Sequence, residues 1–172
     1  MYHFFVEPHQ IGAEEIRIEG ADVNHIRNVL RMKPGEEILI SSREGGDYFC
    51  RVEELEPEYV SAKILEEWEN KELPARIHLF QGLPKGDKME LIIQKAVELG
   101  AYRVVPVSMK RSVVKLDAKK ADAKRKRWNA VSESAAKQSK RSLIPEVAPL
   151  MTYKEAVKEA AGYDMVLLPY ES

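Results

Sequence analysis

The chain has 172 residues, with 27 Lys+Arg against 28 Asp+Glu for a formal net charge of −1, and a single cysteine. That length suits one or two small domains with a real core, and a lone cysteine excludes an intrachain disulfide and a thiolate metal cluster. No apolar run approaches the roughly 20 residues of a membrane-spanning helix, and MYHFFVEPHQ lacks the charged n-region and apolar core of a secretory signal, so the cytoplasm is the expected compartment.

In the first 70 residues, EEILISS (36–42), YFCRVEEL (48–55) and YVSAKILEEW (59–68) read as strands, with REGGD (43–47) as a turn. They predict a small antiparallel β-barrel or sandwich, with Cys50 as a small buried filler. Between the early strands, ADVNHIRNVLRMKPGE reads as a short helix that Asp22 or Asn24 caps and Lys33-Pro34-Gly35 stops. Val23, Ile26, Val29 and Leu30 form its apolar face, and His25, Arg27 and Arg31 the other. NKELP (70–74) marks a boundary, giving expected domains 1–72 and 73–172. Beyond it, strands over 75–81, 102–108 and 164–170 alternate with helices over 88–99, 118–140 and 152–161, which predicts a parallel sheet with crossover helices. An apolar last strand ending two residues before Ser172 would leave an unfinished layer, so the expectation is a chain cut short.

GLPKGDKMELIIQKAVELG (82–100) raises a nucleotide-loop reading and fails it on spacing. A Walker A loop needs four residues between its first glycine and Gly-Lys-Ser/Thr, whereas Gly82 and Gly86 are separated by three and Asp87-Lys88-Met89 follows. Asp87 with Glu90 reads instead as a capping box, Met89, Ile92, Ile93, Ala96 and Val97 as a buried stripe, and Gly100 as the stop. Lys85 and Lys88 are either solvated lysines or part of a polyanion-facing rim. Ligands collect at the carboxyl ends of parallel strands, which would gather Lys85, Lys110, Arg111, Ser112 and Glu171.

Net charge hides an asymmetry. Residues 1–72 carry 8 Lys+Arg against 17 Asp+Glu, and residues 110–141 carry 12 against 3. Screening confines each patch's field to about 10 Å, so the basic segment can attract a polyanion although the chain is neutral. The helix over 118–140 contains Lys124-Arg125-Lys126-Arg127 and only two acids, Asp122 and Glu133, too few for the usual mixture of i, i+4 pairs. That scarcity favours phosphate contact over an ordinary solvated surface, with steep salt dependence of RNA or DNA binding. Trp128 reads as core in preference to a base-stacking platform. The four histidines fall at no metal-ligand spacing and no Gly-x-Ser-x-Gly turn exists, so neither a metal site nor a serine hydrolase is expected.

HIRNVLRMKPGE, QGLPKGDKMELIIQKAVELGAYRVVPV, KRSVVKL, RWNAVSESAAKQSKRSLIPEV and LLPYES occur in that order through essentially the whole chain. Together they resemble the bacterial 16S ribosomal RNA uracil N(3)-methyltransferases of the SPOUT superfamily. The resemblance implies an α+β two-domain chain, an N-terminal PUA-like β-barrel and a C-terminal α/β SPOUT (trefoil-knot) domain, here incomplete. It implies S-adenosylmethionine as cofactor, 16S ribosomal RNA or the small ribosomal subunit as partner, and a homodimer. The family's Gly-Pro-Glu-Gly-Gly loop and a later Leu-Gly-x-Arg-Ile-Leu-Arg stretch do not occur in this sequence, so most of the cofactor site, and activity with it, is expected to be missing. A non-catalytic RNA-binding module is the alternative. Arg111 is the candidate for phosphate or oxyanion stabilisation and Glu171 the candidate base, though either can be structural, Arg111 by pairing with Glu98. The candidate RNA-binding residues are Arg27, Arg31, Lys85, Lys88, Lys124, Arg125, Arg127 and Arg141.

Overall fold

Strands β1 (Tyr2–Val6) and β2 (Glu15–Glu19) show two ways a strand is buried. In β2, EIRIE alternates strictly, Ile16 and Ile18 facing the core and the charged residues facing out, as the two-residue side-chain period requires. In β1 both faces are covered, and His3, Phe4, Phe5 and Val6 are all buried. The computed structural model describes residues 1–70, 72–110 and 116–169. It divides into two units, Met1–Pro74 with Ser134–Ile144, and Ala75–Glu133 with Pro145–Ser172.

After β2, helix α1 (Ala21–Asn24) widens into a π-helical turn over His25–Val29. The expected caps are not used. Gly20 precedes the helix without a side-chain cap, Asp22 receives Lys137 Nζ at 3.2 Å, and Asn24 Oδ1 receives Asn28 Nδ2 at 2.7 Å. The i→i+5 bond from the Leu30 amide to the His25 carbonyl changes the side-chain phase after Ile26, which carries Val29 outward to 61% exposure. The helix ends at Arg31, in the left-handed region at φ 53, ahead of the expected Lys33-Pro34-Gly35 stop.

Strands β3 (Glu37–Ser42), β4 (Asp47–Leu55) and β5 (Tyr59–Trp68) follow the expected segments closely. The β3–β4 turn needs glycine at 46, where φ is 97 and a Cβ would stand 2.9 Å from the Tyr48 hydroxyl. The five strands order as β1-β3-β4-β5-β2. All pairs are antiparallel except β1 with β3, so the sheet is mixed where an antiparallel one was expected. The long excursion through β2 and α1 lets the chain return in the parallel sense. Phe4, Val6, Ile16, Ile18, Ile26, Ile38, Ile40, Val52 and Val60 pack into one core around Cys50. Burial pushes the Cys50 thiol up to about 12, the behaviour of an inert filler.

The second unit begins with β6 (His78–Gly82), helix α2 (Lys88–Glu98) and β7 (Arg103–Ser108). Met89, Ile93 and Val97 are the buried stripe of α2. Its end is a full Schellman turn, with the Gly100 amide on the Val97 carbonyl, the Ala101 amide on the Ala96 carbonyl, and φ 97 at Gly100. Helix α3 (Ala118–Ser139) is followed by two-residue strands β8 (Glu146–Val147) and β9 (Met151–Thr152), then α4 (Tyr153–Ala160). Thr152 and Glu155 close a capping box at its start. All pairings are parallel, with β7 central, β6 on one side and β8 and β9 on the other. β8 pairs residues 103–104 and β9 pairs 107–108, leaving a gap that includes Pro106, which has no amide to donate.

The strand expected over 164–170 is not found. Residues 164–169 form no strand, and Leu167 and Leu168 are 79% and 85% exposed; Tyr170 lies outside the described residues. An apolar, β-prone run becomes a strand only when a ladder partner is available, and β8 and β9 take the third position instead.

A buried polar chain crosses the first unit. His3 Nε2 lies 2.8 Å from Ser41 Oγ, and the Ser41 hydroxyl donates to Asp47. With that proton committed, Ser41 accepts from His3 Nε2–H. Burial, with smaller contributions from the charges of Lys137 and Lys140, lowers the His3 pKa from 6.5 to about 4. Between those values the unfolded chain binds a proton that the folded chain refuses, so stability present above pH 6.5 is lost as pH falls towards 4. The His3 contribution to that loss is on the order of 3 kcal/mol. Urea unfolding of the parent and a His3→Gln variant, at neutrality and near pH 4, should show the parent losing more stability by about that amount; parallel losses would remove His3 as the titrating group.

Candidate functional site at the carboxyl ends of the parallel strands

The β6–β7 register continues one rung past the strand, where the Leu83 amide donates to the Val107 carbonyl at 3.0 Å. Leu83 is thereby buried, and Pro84, Lys85, Gly86 and Asp87 form a loop at the carboxyl end of the sheet. Met109 and Lys110 leave β7 at the same end. A Cβ at Gly82 would stand 3.1 Å from Met109 Cγ, so the glycine lets the two exits approach.

Asp87 occupies the N-cap position of α2 but makes no side-chain cap bond; its backbone carbonyl accepts the Glu90 amide instead. Glu90 does not complete the expected capping box. Its carboxylate takes a two-bond contact from Arg127, Nε at 2.8 Å and Nη2 at 3.0 Å. Lys85, Lys88 and Lys110 are exposed, and among the described residues none of them forms an ion pair. Beside the loop lies a hollow of about 210 Å³ lined by Leu83, Pro84, Met89, Leu116 and Trp128, with Asp87 and Lys124 also at its wall. Trp128 is 4% exposed, as the core reading expected, and Lys124 Nζ sits 6.0 Å from its ring centroid.

Several other bases of α3 are committed within the protein. Arg125 donates to the Val147 carbonyl at 3.3 Å and pairs with Glu146 at 3.4 Å, and Lys126 pairs with Asp122 at 3.2 Å. Asn129 clasps Val147 through both its side-chain amide and carbonyl, and Ser132 donates to the Pro145 carbonyl, which fixes the helix against the segment carrying Glu146. Acids on the helix are few, and Glu90 and Glu146, distant in sequence, pair with Arg127 and Arg125.

Arg141 is the clearest departure from expectation. In the first unit its guanidinium donates from Nε and Nη2 to both oxygens of Glu72, whose Oε1 also accepts the amides of Ser142 and Leu143. The side chains are 9% and 14% exposed. This is a structural clamp, and it withdraws Arg141 from the phosphate contact read from the sequence. Arg27 is half-buried and Arg31 exposed, in that same unit, and neither forms an ion pair among the described residues. Arg111, Ser112 and Glu171 lie outside the described residues.

At the opposite end of β6, His78 Nδ1 lies 3.0 Å from the Tyr163 hydroxyl, which donates to Glu159, itself held by Arg103 at 2.6 Å. Burial, then the Arg103 charge, lowers the His78 pKa, and burial raises that of Tyr163. This cluster ties α4 and the following segment to the sheet. Sequence spacing contains no signal for it, since its members are up to 85 residues apart. Among the described residues no group of three or more His, Cys, Asp or Glu could hold a metal ion, and no helix is long and apolar enough to cross a membrane.

Residues 18–65 match a family described as an RNA methyltransferase PUA domain, and residues 71–172 one described as an RNA methyltransferase domain. The chain is 39% identical to ribosomal RNA small subunit methyltransferase E of Bacillus subtilis over 99% of its own length and 68% of that protein's. It is 30% identical to the Synechocystis protein of the same name, covering 97% of this chain and 54% of the relative. The Neisseria gonorrhoeae ribosomal RNA small subunit methyltransferase E, solved bound to S-adenosyl methionine, superposes with a TM-score of 0.80 at 34% identity, over 92% of this chain and 66% of that one. Fold and family matches together define a two-domain RNA methyltransferase architecture, a PUA-like domain followed by a SPOUT-type methyltransferase domain. The chain belongs to the ribosomal RNA small subunit methyltransferase E family. None of these likenesses bears out the expectation that the cofactor site and the activity are missing.

The clamp has a measurable consequence. Arg141→Ala leaves the largely buried Glu72 carboxylate without its cation, and should cost about 3 kcal/mol in urea unfolding with RNA affinity unchanged. A loss below about 1 kcal/mol, the range of exposed pairs, accompanied by weaker RNA binding would return Arg141 to the substrate surface.

Proposed function

We propose that the protein acts in S-adenosylmethionine-dependent methylation of uracil N3 in 16S ribosomal RNA, in the cytoplasm, and as a homodimer. The observation that carries this reading is the group of exposed lysines, Lys85, Lys88 and Lys110, that form no ion pair among the described residues and stand at the carboxyl end of a parallel sheet in a chain of this family. Phosphates neutralised there would hold the RNA against the strand ends where ligands of such sheets collect.

The cofactor supplies the methyl group. The hollow beside Asp87, at about 210 Å³, is smaller than the roughly 300 Å³ at which pockets for molecules of cofactor size begin, too small for S-adenosylmethionine. What falls to the protein is the uracil. N3 carries a weakly acidic proton and is hidden by base pairing, so the base must be unstacked, deprotonated and held as an anion by nearby positive charge. Arg111 in the stabilising role and Glu171 as base remain part of this proposal. Lys85, Lys88 and Lys124 contribute phosphate contact, and Arg27 and Arg31 a separate contact on the PUA-like domain. Arg125 and Arg127 contribute only to the extent that they leave Glu146 and Glu90.

Transfer of labelled methyl from S-adenosylmethionine to 16S ribosomal RNA, read out as N3-methyluridine, is the direct test. Tight RNA binding without transfer would favour a non-catalytic RNA-binding module. Replacing both Lys85 and Lys88 with Ala should flatten the logarithmic salt dependence of RNA binding by about 2, one for each lost phosphate contact. An unchanged slope would remove the loop from the RNA interface.

A further inference from the structure

We propose that Glu90 is a built-in competitor for the RNA: its carboxylate holds Arg127 in the free protein, and Arg127 exchanges it for a phosphate when RNA binds. This rests on the RNA methyltransferase reading for the polymer that supplies the phosphate. The contact is of a kind that can exchange. Arg127 presents Nε and Nη2 to the two Glu90 oxygens at 2.8 and 3.0 Å, and a phosphate offers a guanidinium the same two-bond geometry. Its side chain is 68% exposed, so the pair is weak and a phosphate can reach the guanidinium from solvent. Among the described residues Arg127 has no other ion-pair partner. Arg125 differs: it is anchored at the Val147 carbonyl and at Glu146, which also lies 3.6 Å from Arg103. Moving Arg125 disturbs several contacts, whereas moving Arg127 breaks one.

Position adds a second reason. Met89 and Trp128 line one hollow, so the first turn of α2 and the middle of α3 meet there, and Glu90 and Arg127 are their immediate chain neighbours. Lys88 belongs to the same turn as Glu90, and Lys124 lies three residues before Arg127, on the same side of α3. RNA held at Lys88 and Lys124 is thereby brought to the pair from both helices. Once released, Glu90 remains in the first turn of α2, where the helix dipole favours a negative charge. The consequence is discrimination between anions. A small anion must displace the carboxylate unaided, whereas an RNA already held at the lysines presents its next phosphate at high effective concentration.

The test measures binding of a 16S ribosomal RNA fragment, over a range of salt, to the parent chain, Glu90→Gln, Arg127→Gln and the double variant. Glu90→Gln should tighten binding about threefold, the worth of one exposed ion pair. Arg127→Gln should flatten the logarithmic salt dependence by about 1, the loss of one phosphate contact. On the Arg127→Gln background the gain from Glu90→Gln should be smaller, because no pair is left to break. An equal gain on both backgrounds would mean simple repulsion by the acid and overturns the exchange. Nuclear magnetic resonance of the Arg127 Nε–H, assigned by its loss in Arg127→Gln, follows the parent directly, so a Glu90 variant that fails to fold leaves the test intact. The RNA fragment should shift this signal, and inorganic phosphate at the same phosphate concentration should not. RNA binding with the signal unmoved makes the pair a strut between α2 and α3 and sinks the exchange alone. No RNA binding by the parent sinks the RNA reading with it.

Discussion

Parallel pairing of β6 with β7 is the constraint on which the second unit depends. It aligns His78 with Arg103 and Gly82 with Val107, so that the two strands release their chains at the same end. The extra rung through Leu83 extends this order into the loop. Lys85, Asp87 and Lys88 therefore project from a backbone fixed by the ladder rather than from a wandering connection. The Schellman turn at Gly100 makes the pairing possible, because it ends α2 abruptly and returns the chain in the parallel sense. Pro106 then limits what the opposite edge of β7 can accept and leaves two short strands in place of one.

Charge in this protein is organised by fold contacts more than by local pairing. Arg125 and Arg127 meet Glu146 and Glu90, and in the first unit Lys137 and Arg141 meet Asp22 and Glu72. The exposed pairs add little stability each, but every one removes a cation from the field that a polyanion would feel. Among the described residues, Lys85 and Lys88 near the carboxyl end of β6, and Lys124 on α3, form no ion pair. A contiguous run of bases in a sequence is thus a poor measure of the charge that a surface presents. The Glu72 clamp adds that an arginine held in a two-bond contact and stripped of water is a structural element, since leaving either charge unpaired is costly.

Much of the architecture was legible in the residues. Alternation in EEILISS and YVSAKILEEW, the stripe on α2 and the alternating strand and helix pattern after residue 74 are local periodicities, and they located most elements to within a few residues. Local reasoning failed where two local options were nearly equal. Asp22 and Asp87 are good N-caps by type, yet Asp22 pairs with Lys137 and the Asp87 side chain makes no cap bond. Val29 fits an α-helical stripe but lies on a π turn, whose phase no periodicity anticipates.

The sequence by itself determined most of the longer strands and helices and, through its ordered motifs, the methyltransferase family. Each of these rests on neighbours in the chain, where spacing is a physical distance. Tertiary structure alone decided which basic residues remain without partners, that Arg141 is a clamp, that residues 164–169 do not join the sheet, and that Asp87, Lys124 and Trp128 meet at one hollow. Those outcomes depend on partners tens of residues away. Their proximity is created by folding and leaves no regular spacing in the sequence.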